Sequence, residues 1–216
     1  RARSAESVAD SIEAVMAALT RSGRIDDTLV VVTSDNGYHA GAHRLPKGKR
    51  TAFREDTVVP LIAIGPGVAP GSAFNGVTST IDLAPTIAEA LGSTAPEWID
   101  GRSLSAALEG TQDLGQWRTA TISEDLGESV PGDPDYQPWA PPRFTALRTQ
   151  DWLFVSYFTG ERELYDVRAD PFEMTNIVGT ADPNLVAALS TQMAMLQACT
   201  GPSCREADAI TIPSQT

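Results

Sequence analysis

Cationic surface is scarce in this sequence. Sixteen lysines and arginines face twenty-eight aspartates and glutamates, for a formal charge of −12. No basic stripe offsets that acidity, which argues against a nucleic-acid backbone as partner. An anionic small molecule is not excluded, because a few cations and a metal can reverse the potential inside one pocket. Long apolar runs are lacking too. None approaches the roughly 20 residues that cross a bilayer, so no membrane partner is expected. There is no signal-peptide pattern, and the sequence opens on Arg1 rather than methionine, which reads as a processed chain or a proteolytic fragment. Cysteine is limited to two residues, Cys199 and Cys204, which excludes a four-cysteine metal site. Their spacing, Cys-Thr-Gly-Pro-Ser-Cys, puts a Gly-Pro turn between them and permits a small disulfide loop. That loop would indicate a periplasmic or secreted protein. Two reduced thiols in a tail are the competing reading.

What is present is ordinary globular material with an ordered pattern. With 216 residues, 42% of them hydrophobic, the chain is long enough to bury a real core. Val8, Ile12, Val15, Met16 and Leu19 fall at helical spacing over residues 4–22, with Gly23 as a stop. Thr28 to Ser34 is a short β-branched run, which predicts a strand buried on both faces, as in a parallel sheet covered by helices. Val58 to Ile64 predicts a second such strand, closed by Gly65-Pro66-Gly67. A helix is expected from Asp82 to Leu91, with an acidic first residue and a proline in its first turn. From about Gly115 the character changes. Short strand-like runs at 119–123, 144–148, 152–158 and 163–167, with turns between, predict a small antiparallel sheet. Residues 130–142 are too rich in proline for regular structure, and residues 185–196 predict a last amphipathic helix. The fold class is α/β with a small C-terminal antiparallel sheet plus helix, divided as residues 1–114 and 115–216.

The chemistry concentrates in residues 33–49, Thr-Ser-Asp-Asn-Gly-Tyr-His-Ala-Gly-Ala-His-Arg-Leu-Pro-Lys-Gly-Lys. Asp35 and Asn36 offer hard oxygen donors directly after a strand, the ligand type that calcium or magnesium prefers. His39, His43, Arg44, Lys47 and Lys49 gather positive charge further along the loop. A metal beside cations suits a sulfate or phosphate ester, whose oxygens gain charge in the transition state. The plain readings are a turn for Asp-Asn-Gly, surface histidines, and a solvated lysine. A zinc site from Asp35, His39 and His43 is a further alternative, opposed by Gly37, Gly41 and Pro46, which break the helix that would align the histidines. The four tryptophans read as packing rather than sugar platforms, and Glu124, Asp125 and Glu128 as a solvated acidic loop.

Asp-Asn-Gly after Val-Val-Thr-Ser, followed by Tyr-His-x-Gly-x-His-Arg-Leu-Pro-x-Gly-Lys, resembles a signature of the type I sulfatases of the alkaline phosphatase superfamily. The branch most similar contains N-acetylglucosamine-6-sulfatases and bacterial arylsulfatases. Residues 54–67, 81–86, 100–104 and 163–176 match the same family in the same order. The resemblance implies part of an alkaline phosphatase-like sandwich and hydrolysis of a sulfate ester on a sugar or aryl alcohol by the intact protein. It implies calcium held by Asp35 and Asn36, with Lys49 contacting the sulfate and its leaving-group oxygen. Catalytic or substrate contacts by His39, and substrate contacts by His43 and Arg44, are weaker implications. The family's nucleophile is a formylglycine made within a Cys/Ser-x-Pro-x-Arg motif, which is absent here: Ser129-Val-Pro-Gly ends in Asp133. The formylglycine is therefore expected in a region upstream. A phosphodiesterase or phosphonate hydrolase of the same superfamily is the competing enzyme. A non-catalytic carbohydrate-binding or structural relative is the competing class. Strands of this kind need neighbours, so a further N-terminal chain or self-association through an open sheet edge is expected. The isolated chain, given an aryl sulfate and calcium, is expected to show no turnover above a Lys49→Ala control; hydrolysis above that control would overturn the reading.

Overall fold

The computed structural model describes residues 2–127, 130–132, 136 and 138–212. The first helix, α1, covers Ala2–Arg21 and ends at Gly23, whose φ of 67° suits a residue without a Cβ. Strand β1 is Val30–Thr33 and β2 is Leu61–Ile64. They pair with each other, Val30 opposite Ile64 and Thr33 opposite Leu61, and they run antiparallel. This corrects the expectation of doubly buried strands in a parallel sheet. A continuous apolar run reports a strand with no polar face but carries no information on direction. Here the connection, with its one-turn helix α2 (Arg54–Thr57), turns the chain back on itself. Nor are both faces covered: Ile62 is 54% exposed and Ile64 47%. An apolar groove of about 960 Å³ runs along them, lined by Met16, Val31, Ile62, Leu83 and Leu104 among others.

Helix α3, Leu83–Ala90, follows a 3-10 turn at Thr80–Asp82. Its entry is a capping box in which Ser79 and Asp82 satisfy each other's backbone N–H groups. Asp82 has a second role. It is fully buried, and its carboxylate accepts from the Arg118 guanidinium at 2.7 and 3.1 Å and from the backbone N–H of Arg102 at 2.8 Å. Arg118 also faces Asp208 at 3.3 Å, and Arg102 Nε donates to the same carboxylate at 3.2 Å. This network joins the start of α3 to the end of the described chain.

After α4 (Ser105–Leu108), strands β3 (Ala120–Asp125), β4 (Phe144–Thr149), β5 (Trp152–Tyr157) and β6 (Arg162–Asp166) form an antiparallel meander in sequence order. Helix α5, Pro183–Ala198, is capped by the Asp182 carboxylate, which accepts from the N–H of Asn184 at 2.9 Å. Side chains alternate across the sheet. One face packs Leu147, Trp152, Phe154 and Leu164 against Leu185, Leu189 and Met193 of α5. Each such side chain contributes roughly 1.5–3 kcal/mol by leaving water. The other face presents Phe144, Ala146, Leu153, Val155 and Tyr165 to Ala52 and Phe53, which lie just before α2. Cys199 and Cys204 are joined in a disulfide that ties the end of α5 to α6 (Pro202–Ala207). Removing Asp82 leaves the buried Arg118 guanidinium to Asp208 alone and takes the acceptor from the N–H groups of Ser79 and Arg102. Asp82→Ala is therefore expected to cost about 3 kcal/mol or more in urea unfolding, and a loss under 1 kcal/mol would mean that water reaches the pair.

Candidate active site

Strand β1 ends at Thr33, and the polypeptide turns at once into Ser34-Asp35-Asn36-Gly37. The turn is closed locally. The Asp35 carboxylate accepts from the N–H of Asn36 at 2.9 Å, and Ser34 Oγ donates to the Asn36 carbonyl at 2.8 Å. Gly37 is required by proximity rather than by φ. A Cβ there would lie 2.0 Å from the Glu55 carbonyl oxygen of α2, and the Gly37 N–H donates to the Asp56 carbonyl at 2.8 Å. The loop returns through a two-way backbone pairing of His39 with Gly48, at 2.9 and 3.1 Å, which brings Lys49 back beside the turn. Asp35, Asn36 and Lys49 consequently wall one cleft of about 940 Å³, with Arg50, Thr51 and Asp56. Its far wall comes from β3 and β4, including Ser123, Asp125 and Arg148.

Asn36 Nδ2 donates to the Gly37 carbonyl at 2.8 Å, so its amide oxygen is the end left to accept or ligate. Asp35 is exposed and is an acceptor whenever ionised. By donor type the two oxygens would suit a hard divalent cation. Calcium takes six to eight oxygens, so donors beyond these two are required. Among the described residues, no group of three or more His, Cys, Asp and Glu side chains converges as a metal would need. The zinc alternative through Asp35, His39 and His43 therefore has no geometric support.

His39, His43 and Arg44 lie elsewhere than on the cleft wall. His39 is 1% exposed, and its Nδ1 lies 2.9 Å from both oxygens of Asp56. Since a carboxylate only accepts, Nδ1 carries a proton. Nε2 is buried with no hydrogen-bond partner among the described residues, and the ring meets the edge of Trp139 at 5.1 Å. His43 stacks on Phe53 at 3.6 Å between centroids and lies 3.5 Å from Glu55. Arg44 is exposed, with a left-handed backbone at φ 59°. Contacts with a substrate were expected of all three. Within this chain the loop turns His39 inward, where the pairing with Gly48 and α2 close over it, and rests His43 on Phe53.

Two features escaped sequence reading. The first is Asp56, 5% exposed. Its carboxylate accepts from His39 N at 3.0 Å, Thr51 N at 2.9 Å and Thr51 Oγ1 at 2.6 Å, besides His39 Nδ1. The second is Arg50. Its φ of 80° is unusual for a residue with a side chain and costs about 1 kcal/mol or more. Arg50 donates Nε and Nη2 to Asp125 at 2.9 Å each, and Nη2 to the Gly127 carbonyl at 2.9 Å. Asp125 therefore ends β3 as a bound partner rather than in a solvated acidic loop, and Glu124 accepts from Thr145 at 3.0 Å. Glu128 lies outside the described residues. No local pattern marks a single buried carboxylate in a one-turn helix, or its partners.

Residues 1–93 match the family model described as Sulfatase. The chain is 34% identical to human N-acetylglucosamine-6-sulfatase over 92% of its own length and 40% of that protein. Its structure superposes with a TM-score of 0.78 and 28% identity on a protein solved with its substrate D-glucosamine-2-N,6-O-disulfate, covering 93% of this chain and 39% of that one. A phosphonate monoester hydrolase from Silicibacter pomeroyi gives a TM-score of 0.70 and 33% identity, over 86% and 37% respectively. Residues 1–93 thus form a sulfatase family-model domain, and the chain as a whole is similar to sulfatases, with an alkaline phosphatase-like fold over the part it shares. It spans about two fifths of the length of the curated relatives it matches.

Beneath the site loop, the ring of Phe53 meets Tyr165 at 5.9 Å. Burial, reinforced by the Glu163 carboxylate, holds the hydroxyls of Tyr157 and Tyr165 well above the usual tyrosine range. The folded chain thus keeps protons that the unfolded chain loses above about pH 10. The resulting stability is whole below that pH and is lost as pH rises further. Urea unfolding from pH 8 to 11 is expected to show a flat profile that falls at the alkaline end. The fall is expected to be shallower in the Tyr157→Phe, Tyr165→Phe double variant, and an equal fall in both proteins would refute the assignment.

Proposed function

We propose that the protein carrying this chain hydrolyses a sulfate ester on a sugar, with an aryl sulfate as the alternative acceptor of the same chemistry. The observation that carries this reading is the convergence of Asp35, Asn36 and Lys49 on one cleft wall. Asp35 and Asn36 would hold calcium, which when bound supplies Lewis-acid polarisation of the sulfate oxygens. Lys49 would place its ammonium against the ester oxygen and offset the charge that grows there as the bond to sulfur breaks. The nucleophile, expected as a formylglycine, has no source motif in these residues. It belongs to polypeptide beyond them, in keeping with the two-fifths coverage of the relatives. In this reading residues 1–114 bring the metal and anion contacts, and residues 115–216 form a subdomain that closes the cleft through β3. The disulfide supports a periplasmic or secreted setting. A sulfated glucosamine is the favoured substrate class, supported by the two sulfatase-type relatives named above.

Phosphonate or phosphate diester hydrolysis is the second reading, favoured by the 33% identity to the phosphonate monoester hydrolase. The deciding experiment uses the protein in its full length, assayed with a 6-sulfated glucosamine and with a phosphonate monoester. Lys49→Ala is expected to lower kcat on the sulfate ester by about 10²–10³-fold. Asp35→Ala and Asn36→Ala are each expected to lower bound calcium, measured by elemental analysis. Faster turnover of the phosphonate would favour the second reading. Undiminished sulfate turnover by Lys49→Ala would remove the first.

A further inference from the structure

We propose that Asp56 is a positioning residue that sets the Asp35–Asn36 pair and Lys49 in register with one another. The inference deepens the sulfate-ester reading of the cleft and rests on it. Asp35 and Lys49 lie far apart along the loop, and no strand connects them directly. Something must fix the distance between the proposed cation and the ammonium. Asp56 touches the loop at each point where that distance is set. Its backbone carbonyl accepts from Gly37, the residue after Asn36, at 2.8 Å. Its carboxylate accepts from the backbone N–H groups of His39 at 3.0 Å and Thr51 at 2.9 Å. His39 is in turn paired with Gly48, which precedes Lys49. Lys49 therefore sits between two anchors, Gly48 and Thr51, both reached from one buried carboxylate. On its outer side the strained Arg50 backbone is held by the two-point contact with Asp125.

The carboxylate is irreplaceable here for a simple reason. Among the described residues, every group hydrogen-bonded to it is a donor: two backbone N–H groups, the Thr51 hydroxyl and the His39 Nδ1–H. An amide in its place would turn N–H groups toward N–H groups. One side of the cradle would open, and the His39–Gly48 pairing would loosen with it. His39 in this arrangement is a strut, holding the carboxylate from beneath while Trp139 covers its other side.

The composition makes the test clean. The chain contains two lysines, Lys47 and Lys49, and two histidines, His39 and His43. The pure chain is treated with a limiting amine-acetylating reagent, and the ratio of Lys49 to Lys47 modification is read by mass spectrometry. Asp56→Asn is expected to raise that ratio several-fold while circular dichroism stays native. In the 15N-histidine-labelled chain the same variant is expected to lose the Nδ1–H signal of His39. Leu189→Ala, which weakens the core on the far face of the sheet, is the control for general loosening and is expected to leave the ratio unchanged. If Asp56→Asn does not fold, Thr51→Val removes one donor from the same carboxylate and is expected to shift the ratio less, in the same direction. An unchanged ratio in a folded variant overturns the proposal, as does an equal shift in Leu189→Ala. A separate arm adds calcium and inorganic sulfate to the wild-type chain and asks whether Lys49 is protected. That arm tests anion binding by the cleft, and its failure would leave the Asp56 result standing.

Discussion

A single buried carboxylate holds the site loop in shape. The segment between β1 and β2 has few large apolar residues to anchor it, and its glycines leave the backbone loose. Hydrophobic burial cannot fix such a segment, because burial is not directional. Hydrogen bonds to a charged acceptor are directional and stronger than neutral ones. Asp56 supplies them from a one-turn helix whose backbone also meets Gly37. The desolvation of that carboxylate is offset because its neighbours are all donors. The turn bearing Asp35 and Asn36 and the turn bearing Lys49 are thus two ends of one hydrogen-bonded unit.

That unit is seated on the antiparallel sheet rather than on the two-stranded pair alone. Ala52 and Phe53 fill the face of the sheet opposite α5, and Arg50 reaches the end of β3. The sheet therefore acts as a platform for the loop and as the second wall of the cleft. It gains its own rigidity from α5 on the other face, from the Asp82–Arg118–Asp208 network, and from the disulfide between α5 and α6. The apolar side of β1 and β2 has no such cover among the described residues. Its exposed isoleucines mark the part of the fold that is least self-sufficient.

Much of the secondary structure was legible from periodicity. The first helix was expected over 4–22 and covers 2–21. The meander strands and α5 lie within a few residues of their expected places. Strand direction was not legible: β1 and β2 have the composition of parallel core strands and run antiparallel. The site was legible in part. Asp35, Asn36 and Lys49 are named by a motif, and the fold brings them to one cleft. The inward turn of His39, the role of Asp56 and the pairing of Asp125 with Arg50 were not legible. Each depends on residues far apart in sequence, 17 positions for His39 with Asp56 and 75 for Arg50 with Asp125.

The order of residues sets what kinds of atom are available: hard oxygens after a strand, an ammonium further along, and few other lysines or histidines to compete with them. It sets the local periods too, because side-chain direction repeats with the backbone. Which of those atoms face the same space is settled by the folding of the chain as a whole. A loop's side chains point in or out according to what closes over the backbone, and here the closure comes from α2 and the distant sheet. Proximity across a fold is a property of packing, and no stretch of neighbouring residues contains it.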